Sequence, residues 1–209
     1  MSLRMALLAL LAARPMTGFD AMRQFDVSVD YLWHAPHTQI YPELRKLEAA
    51  GLVEGEEVPR GEHARKRRYS LTESGREQLR TWVEEVEEPR RERDPQRLKA
   101  AYFEWASPEA ARAQLAAHAQ FHEEALASYE KQREDILARR VPLLQARLER
   151  TPPSEQEAVV EFKAFAYGGL IARALAEVEW AQEGLRLLDR LHSERSDRSE
   201  EEAAERPGA

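Results

Sequence analysis

Four consecutive cations, Arg65-Lys66-Arg67-Arg68, follow closely on a segment that carries Thr38, Gln39, Tyr41, Arg45 and Lys46. Guanidinium and ammonium groups at this density hold phosphate oxygens, and hydroxyl and amide side chains on a helix can bond base edges. A charge run on its own is more often a solvated face, so the chemistry depends on which elements carry these residues. A second pattern is His118 and His122, spaced i, i+4 so that both share a helix face and could grip a metal. No third ligand is evident in the sequence and there is no HExxH context, so neither a metal nor a cofactor is expected. His122 also falls on an apolar stripe, which suits a seam residue. The chain has no cysteine, hence no disulfide or thiolate site. It has no glycine-rich phosphate loop and no nucleophile motif, so an enzyme is not expected.

The first pattern sits on a legible scaffold. Ile40, Leu44 and Leu47 recur at i, i+4 and i+7 and share one helix face. The polar residues lie on the other. Pro42 is tolerable only near a helix start, so the helix is expected to begin near Thr38, with Thr38 as its N-cap. Gly51 ends it. Leu52 to Val58 reads as a strand, Pro59 to Glu62 as a turn, and Arg67 to Leu71 as the returning strand. A polar helix beside a basic-tipped ribbon is a winged helix-turn-helix, a device for holding duplex DNA. Thr38 and Gln39 are then candidates for base edges. Tyr41, Arg45 and Lys46 are candidates for phosphates, and Arg60, Arg65, Lys66, Arg67 and Arg68 for phosphates or the minor groove.

The same residues carry a resemblance. His34, Ile40, Tyr41, Pro42, Leu44, Leu47, Glu48, Gly51, Leu52 and Val53, followed by Tyr69, Ser70, Leu71, Thr72 and Gly75, look like the phenolic-acid-response regulator (PadR) family. Leu7 to Leu11 and Pro15-Met16-Thr17-Gly18-Phe19 resemble that family's opening. The match is close over roughly the first ninety residues and holds in outline beyond them. The resemblance implies a dimeric DNA-binding regulator that an aromatic or other apolar compound can release from DNA. Trp33, Tyr102, Phe103, Trp105, Phe162, Phe165 and Tyr167 are the aromatic residues that would line such an effector pocket; taken singly, each suits ordinary core packing.

The rest of the chain divides by composition. The net charge of −7 is unevenly spread: residues 1–80 hold twelve Lys/Arg against eleven Asp/Glu, and the remainder nineteen against twenty-seven. Leu3 to Ala13 is apolar all round and reads as a buried first helix instead of a signal peptide. Thr17 is the expected N-cap of a second helix, Gly18 to Phe25, and Thr72 that of a helix running to about Glu85. Residues 87–95 read as a hinge. Beyond it, Ser107-Pro108 opens a long helix directed towards Arg150, with a coiled-coil-like stripe at Leu115, His122, Tyr129, Ile136 and Leu143; Pro142 should kink or end it. Ser154 and Glu157 form a capping-box pattern for the last helix, whose stripe is Ile171, Leu175, Val178, Leu185 and Leu188. Gly168-Gly169 within it suggests a close helix–helix approach. After about Ser193 the composition suggests disorder.

The expected architecture is mainly α. Residues 1–86 form the winged helix-turn-helix with a two-stranded wing, 96–192 a long-helix dimerisation and effector domain, and 193–209 a disordered tail. The expected function is that of a cytoplasmic, sequence-specific transcriptional regulator, a dimeric repressor on an inverted-repeat operator, with no membrane span. The alternative from a different class is a helical-dimer interaction module whose winged domain binds a protein.

Overall fold

A computed structural model describes residues 3–28, 36–60, 64–88 and 93–204, with the backbone alone at 26–28, 60, 64 and 195–204. The chain divides into two units, residues 1–89 with 139–159 and residues 90–138 with 160–209.

The first unit is built on α1 (Leu3–Leu11), which buries Met5 to Leu8, Leu10 and Leu11 on all sides. Around it pack α2 (Gly18–Ser28) and α3 (His37–Ala49), and then β2 (Val53–Arg60), β3 (Ala64–Leu71) and α4 (Glu73–Glu84). Leu7, Leu8, Leu11, Phe25, Ile40, Leu44, Leu47 and Val53 are fully buried. This is the periodicity at work: the apolar triad of α3 faces α1 and leaves the polar side of α3 outward. A two-residue strand, β1 (Met16–Thr17), pairs with Tyr69 and Arg68, so the ribbon becomes a three-stranded antiparallel sheet in the order β1-β3-β2.

Local capping fixes these elements. Thr17 and Asp20 bond reciprocally: Thr17 Oγ1 donates to Asp20 Oδ2 at 2.7 Å, and Asp20 N donates to Thr17 Oγ1 at 3.2 Å. Thr72 Oγ1 accepts from Gly75 N at 3.1 Å and donates to the Gly51 carbonyl at 2.8 Å, tying α4 to the end of α3. Gly75 is there for space. A Cβ on it would stand 2.1 Å from the Leu52 carbonyl oxygen.

The expectation fails at the start of α3. The helix begins at His37 with Pro36 in the capping position, and no side chain caps it. Thr38 is therefore inside the first turn, and Pro42, lacking an N–H, leaves the Thr38 carbonyl without its i+4 donor.

The second half also departs from the expected pattern. α5 (Pro95–Ala100) is capped by Asp94, and a short 3₁₀ turn follows at Phe103–Trp105. α6 (Pro108–Leu137) is capped by Ser107 as expected, but it ends thirteen residues short of Arg150. Arg139 has φ of 55°, a left-handed turn that stops the helix, and Pro142 then opens α7 (Pro142–Leu148). Leu143 therefore leaves the α6 stripe and joins the core of the first unit. α8 (Pro153–Ala204) starts at its own proline and continues past Ser193, where composition suggested disorder. Its tail mixes Glu, Arg and Ala with Ser and Asp; the first three are good helix formers, so polarity there does not mean loss of helical structure. Residues 205–209 lie outside the described ones. The buried seam of α8 is Val160, Ala164, Tyr167, Ala174 and Ala181 instead of the leucine stripe, and Leu175 is half exposed. Gly168 and Gly169 meet nothing within 4 Å; the close approach of α6 to α8 is at Gly184, where a Cβ would stand 2.8 Å from Leu115 Cδ1.

Candidate nucleic-acid interface

α3 presents Thr38, Gln39, Arg45 and Lys46 exposed, while Ile40, Leu44 and Leu47 hold its other side at 0% exposure. Tyr41 is part of the same outer face but is also anchored. Its ring lies against Gly18, where a Cβ would come within 2.5 Å of Cε1. Tyr41 therefore packs α3 against the start of α2 while remaining 44% exposed. Lys46 pairs with Glu43 at 3.4 Å, and Glu43 also meets Arg4 at 3.6 Å.

The wing is less free than four cations in sequence suggest. Arg65 pairs with Glu57 at 2.9 Å and Arg68 with Glu56 at 2.8 Å, both across the β2–β3 ladder. Arg67 turns back onto α3. Its Nε donates to both carboxylate oxygens of Glu48 at 3.0 and 3.1 Å, and its Nη2 to Oε1. Gly55 makes room for this bridge, since a Cβ there would lie 2.4 Å from Arg67 Nε and 2.5 Å from Glu48 Oε1. The hydrogen bond from Arg67 holds the Glu48 carboxyl below its usual range. Among the described residues, Arg45 and Lys66 are the interface cations without an ion pair. The Arg60 side chain lies outside those described. Sequence spacing could not have found this pairing, because it depends on the strand register.

Among the described residues, the aromatic side chains expected around an effector do not gather on one cavity of the single chain. Trp33 lies outside the described residues. Tyr102, Phe103 and Trp105 border a shallow surface depression with Leu98 and Gln114. Phe162 and Phe165 are 74% and 80% exposed on α8, and Tyr167 is buried. A cavity of about 600 Å³ instead lies within the second unit, lined by Phe103, Leu115, Trp180 and Leu188 with Glu183 and His192 among its polar groups. Of these, Phe103 was expected in an effector pocket, while Leu115 and Leu188 were expected in packing stripes.

Trp180, on the wall of this cavity, also borders a polar cluster. His118 Nε2 lies 3.1 Å from Glu177 Oε2; Arg97 Nη1 donates to Glu177 Oε1 at 3.2 Å, and its Nη2 makes an ion-pair contact with Oε2 at 3.1 Å. The Arg97 guanidinium stands 4.7 Å over the Trp180 ring. Burial would raise the Glu177 carboxyl, but hydrogen bonds from Arg97 and His118 outweigh it and hold the carboxyl low. Burial, helped by the neighbouring His118, lowers His122.

Residues 7–81 match the family described as transcriptional regulator PadR-like, and residues 92–189 match the virulence activator alpha C-terminal family. The negative transcriptional regulator PadR of Bacillus subtilis is 36% identical over 81 residues, which is 39% of this chain and 44% of that protein. The chain thus aligns with under half the length of the curated relatives it matches. Folds compare over more of the molecule. The crystal structure of B. subtilis PadR in complex with operator DNA superposes with a TM-score of 0.69 at 24% identity, covering 89% of this chain and 98% of that one. The same protein in complex with p-coumaric acid gives 0.65 at 24% identity over 90% and 95%.

Proposed function

We propose that this chain, a member of the PadR-like transcriptional regulator family, is a homodimeric repressor that binds double-stranded DNA at an inverted repeat. The observation that carries this reading is the outer face of α3. Thr38, Gln39, Arg45 and Lys46 stand exposed over a fully buried triad, with the cationic β3 strand alongside. Thr38 and Gln39 take the base edges. Tyr41, Arg45, Arg60 and Lys66 take the phosphates, with Lys46, Arg65, Arg67 and Arg68 contributing when their glutamates release them. Two half-sites require two chains. The exposed Phe162 and Phe165 of α8, together with Trp105 at 87% exposure, support a subunit interface in the helical region. A small aromatic or apolar effector would act in the second unit, where the 600 Å³ cavity offers an apolar wall and polar groups at Glu183 and His192. It would favour the arrangement of the two chains that no longer fits the half-site spacing. No helix among the described residues is long and apolar enough to cross a membrane. A cytoplasmic site of action follows from the task proposed.

The test is selection of bound duplexes from a random-sequence library, followed by a mobility-shift titration of the enriched site against excess nonspecific competitor. A palindromic motif, bound by the wild type and lost with Gln39→Ala plus Arg45→Ala, is expected. Failure to enrich any motif, with a folded dimer in hand, would overturn the reading and favour a protein partner for the winged domain.

A further inference from the structure

We propose that His118, His122 and Glu177 form a binding site for a divalent transition-metal ion of the zinc class. The sequence offered only the two histidines, one turn apart on α6. Folding brings Glu177 from α8 to them, so that one ligand atom from each residue lies within 4.8 Å of the others. Two imidazoles and one carboxylate with room for a water make up the common three-ligand zinc set, and a site without thiolate disfavours copper(I).

The geometry is close to what an ion needs. Two ligand atoms bound to one ion at about 2.0–2.1 Å in a tetrahedral arrangement stand roughly 3.3 Å apart. His118 Nε2 and Glu177 Oε2 are already 3.1 Å apart. That pair would need a shift of only a few tenths of an ångström; the three ligand atoms together lie within 4.8 Å, so His122 would swing in to complete the set. The His118 and His122 rings lie 4.5 Å apart between centroids. Trp180 stands edge-on to His118 at 5.1 Å, and Phe121, itself 68% exposed, stands edge-on to His122 at 5.0 Å. The side chains of His118 and Glu177 are each only 12% exposed, which limits competition from water.

Arg97 is the opposing charge. It donates to Oε1 and makes an ion-pair contact with Oε2, the oxygen that faces His118, and would compete with an ion for Glu177. It also approaches from α5 and fixes the plane of the carboxylate, as outer partners of metal ligands do. α6 and α8 are held together independently by the Arg112–Asp189 ion pair and the Leu115–Gly184 contact, so the ligands need not be gathered by the ion. Binding would clamp one turn of α6 to one turn of α8. The inference does not depend on the DNA reading.

The experiment is a cobalt(II) titration of the tag-free full-length chain, followed by visible absorption, with zinc(II) competition. Expected are one ion per chain, the intense bands of a four- or five-coordinate nitrogen–oxygen site, and displacement by zinc. His122→Gln and Glu177→Gln should each weaken binding by about 10-fold or more, and His192→Gln should not. Glu177→Gln also disturbs Arg97, so His122→Gln, which leaves the Arg97–Glu177 pair in place, is the decisive variant; circular dichroism checks that it is folded. A spectrum that stays that of the aqueous ion, or an unchanged titration with folded His122→Gln, would overturn the site.

Discussion

The ion pairs of the wing make a quantitative prediction about salt. DNA binding releases about 0.9 counterion per phosphate neutralised, so the slope of log Kobs against log salt counts the cations that newly meet phosphate. A cation already paired with a glutamate adds little, because the abandoned carboxylate gathers a cation from solution as the phosphate releases one. Arg65, Arg67, Arg68 and Lys46 are paired in this way, which leaves Arg45 and Lys66 in each chain. A dimer then has four such groups and a slope of about −4, or roughly −5 if Arg60 adds its share. Replacing Glu48, Glu56 and Glu57 by Gln frees three arginines per chain and should steepen the slope to roughly −9, or −11 with Arg60, with tighter binding at low salt. Fluorescence anisotropy of one labelled operator over a series of salt concentrations reads both values. A wild-type slope already near −10, or a triple variant with the same slope as the wild type, would refute the reasoning.

Three further outcomes are expected. Gly75→Ala gains helix propensity of about 1 kcal/mol, but it drives a Cβ into the Leu52 carbonyl that accepts from Thr72 N at 3.2 Å; a net loss of about 2 kcal/mol should appear in urea unfolding, and a neutral result would contradict the packing. Asp20→Ala should cost about 1 kcal/mol at neutral pH by removing the reciprocal cap. The Asp20 carboxyl is held low chiefly by the Thr17 hydroxyl, so this difference is present above the ordinary aspartate range and fades as pH falls through the lowered value; a difference that persists in strong acid would assign it to something else. Gly169→Ala meets open space in one chain and should stabilise α8, whereas a destabilisation that grows on dilution, seen in sedimentation, would place a partner helix against it.

What the sequence made legible is what local rules govern. The α3 triad, the caps at Thr17, Thr72 and Ser107, and the antiparallel ribbon each depend on neighbours a few residues away, and all are present. The start of α3 went to Pro36 because proline at the entry supplies the required backbone angle without a side-chain bond. The end of α6 was misplaced because the left-handed Arg139 carries no glycine to announce it. The α8 seam was missed because Ala164, Ala174 and Ala181 are small; hydrophobicity pointed to leucines, while close helix packing selects for size. The wing ion pairs and the meeting of Glu177 with two histidines 55 and 59 residues earlier depend on register and tertiary contact, which periodicity does not report.

The glycines that face side chains carry an evolutionary consequence. The Tyr41 ring occupies the space a Cβ at position 18 would need, and the Glu48–Arg67 bridge fills the corresponding space at position 55. Neither glycine is constrained by itself; each is constrained by its partner. In descendants of this chain, a side chain at 18 should accompany a smaller residue at 41. A side chain at 55 should accompany loss of the 48–67 charge pair, so these positions should change in sets, with single replacements purged before the second arrives.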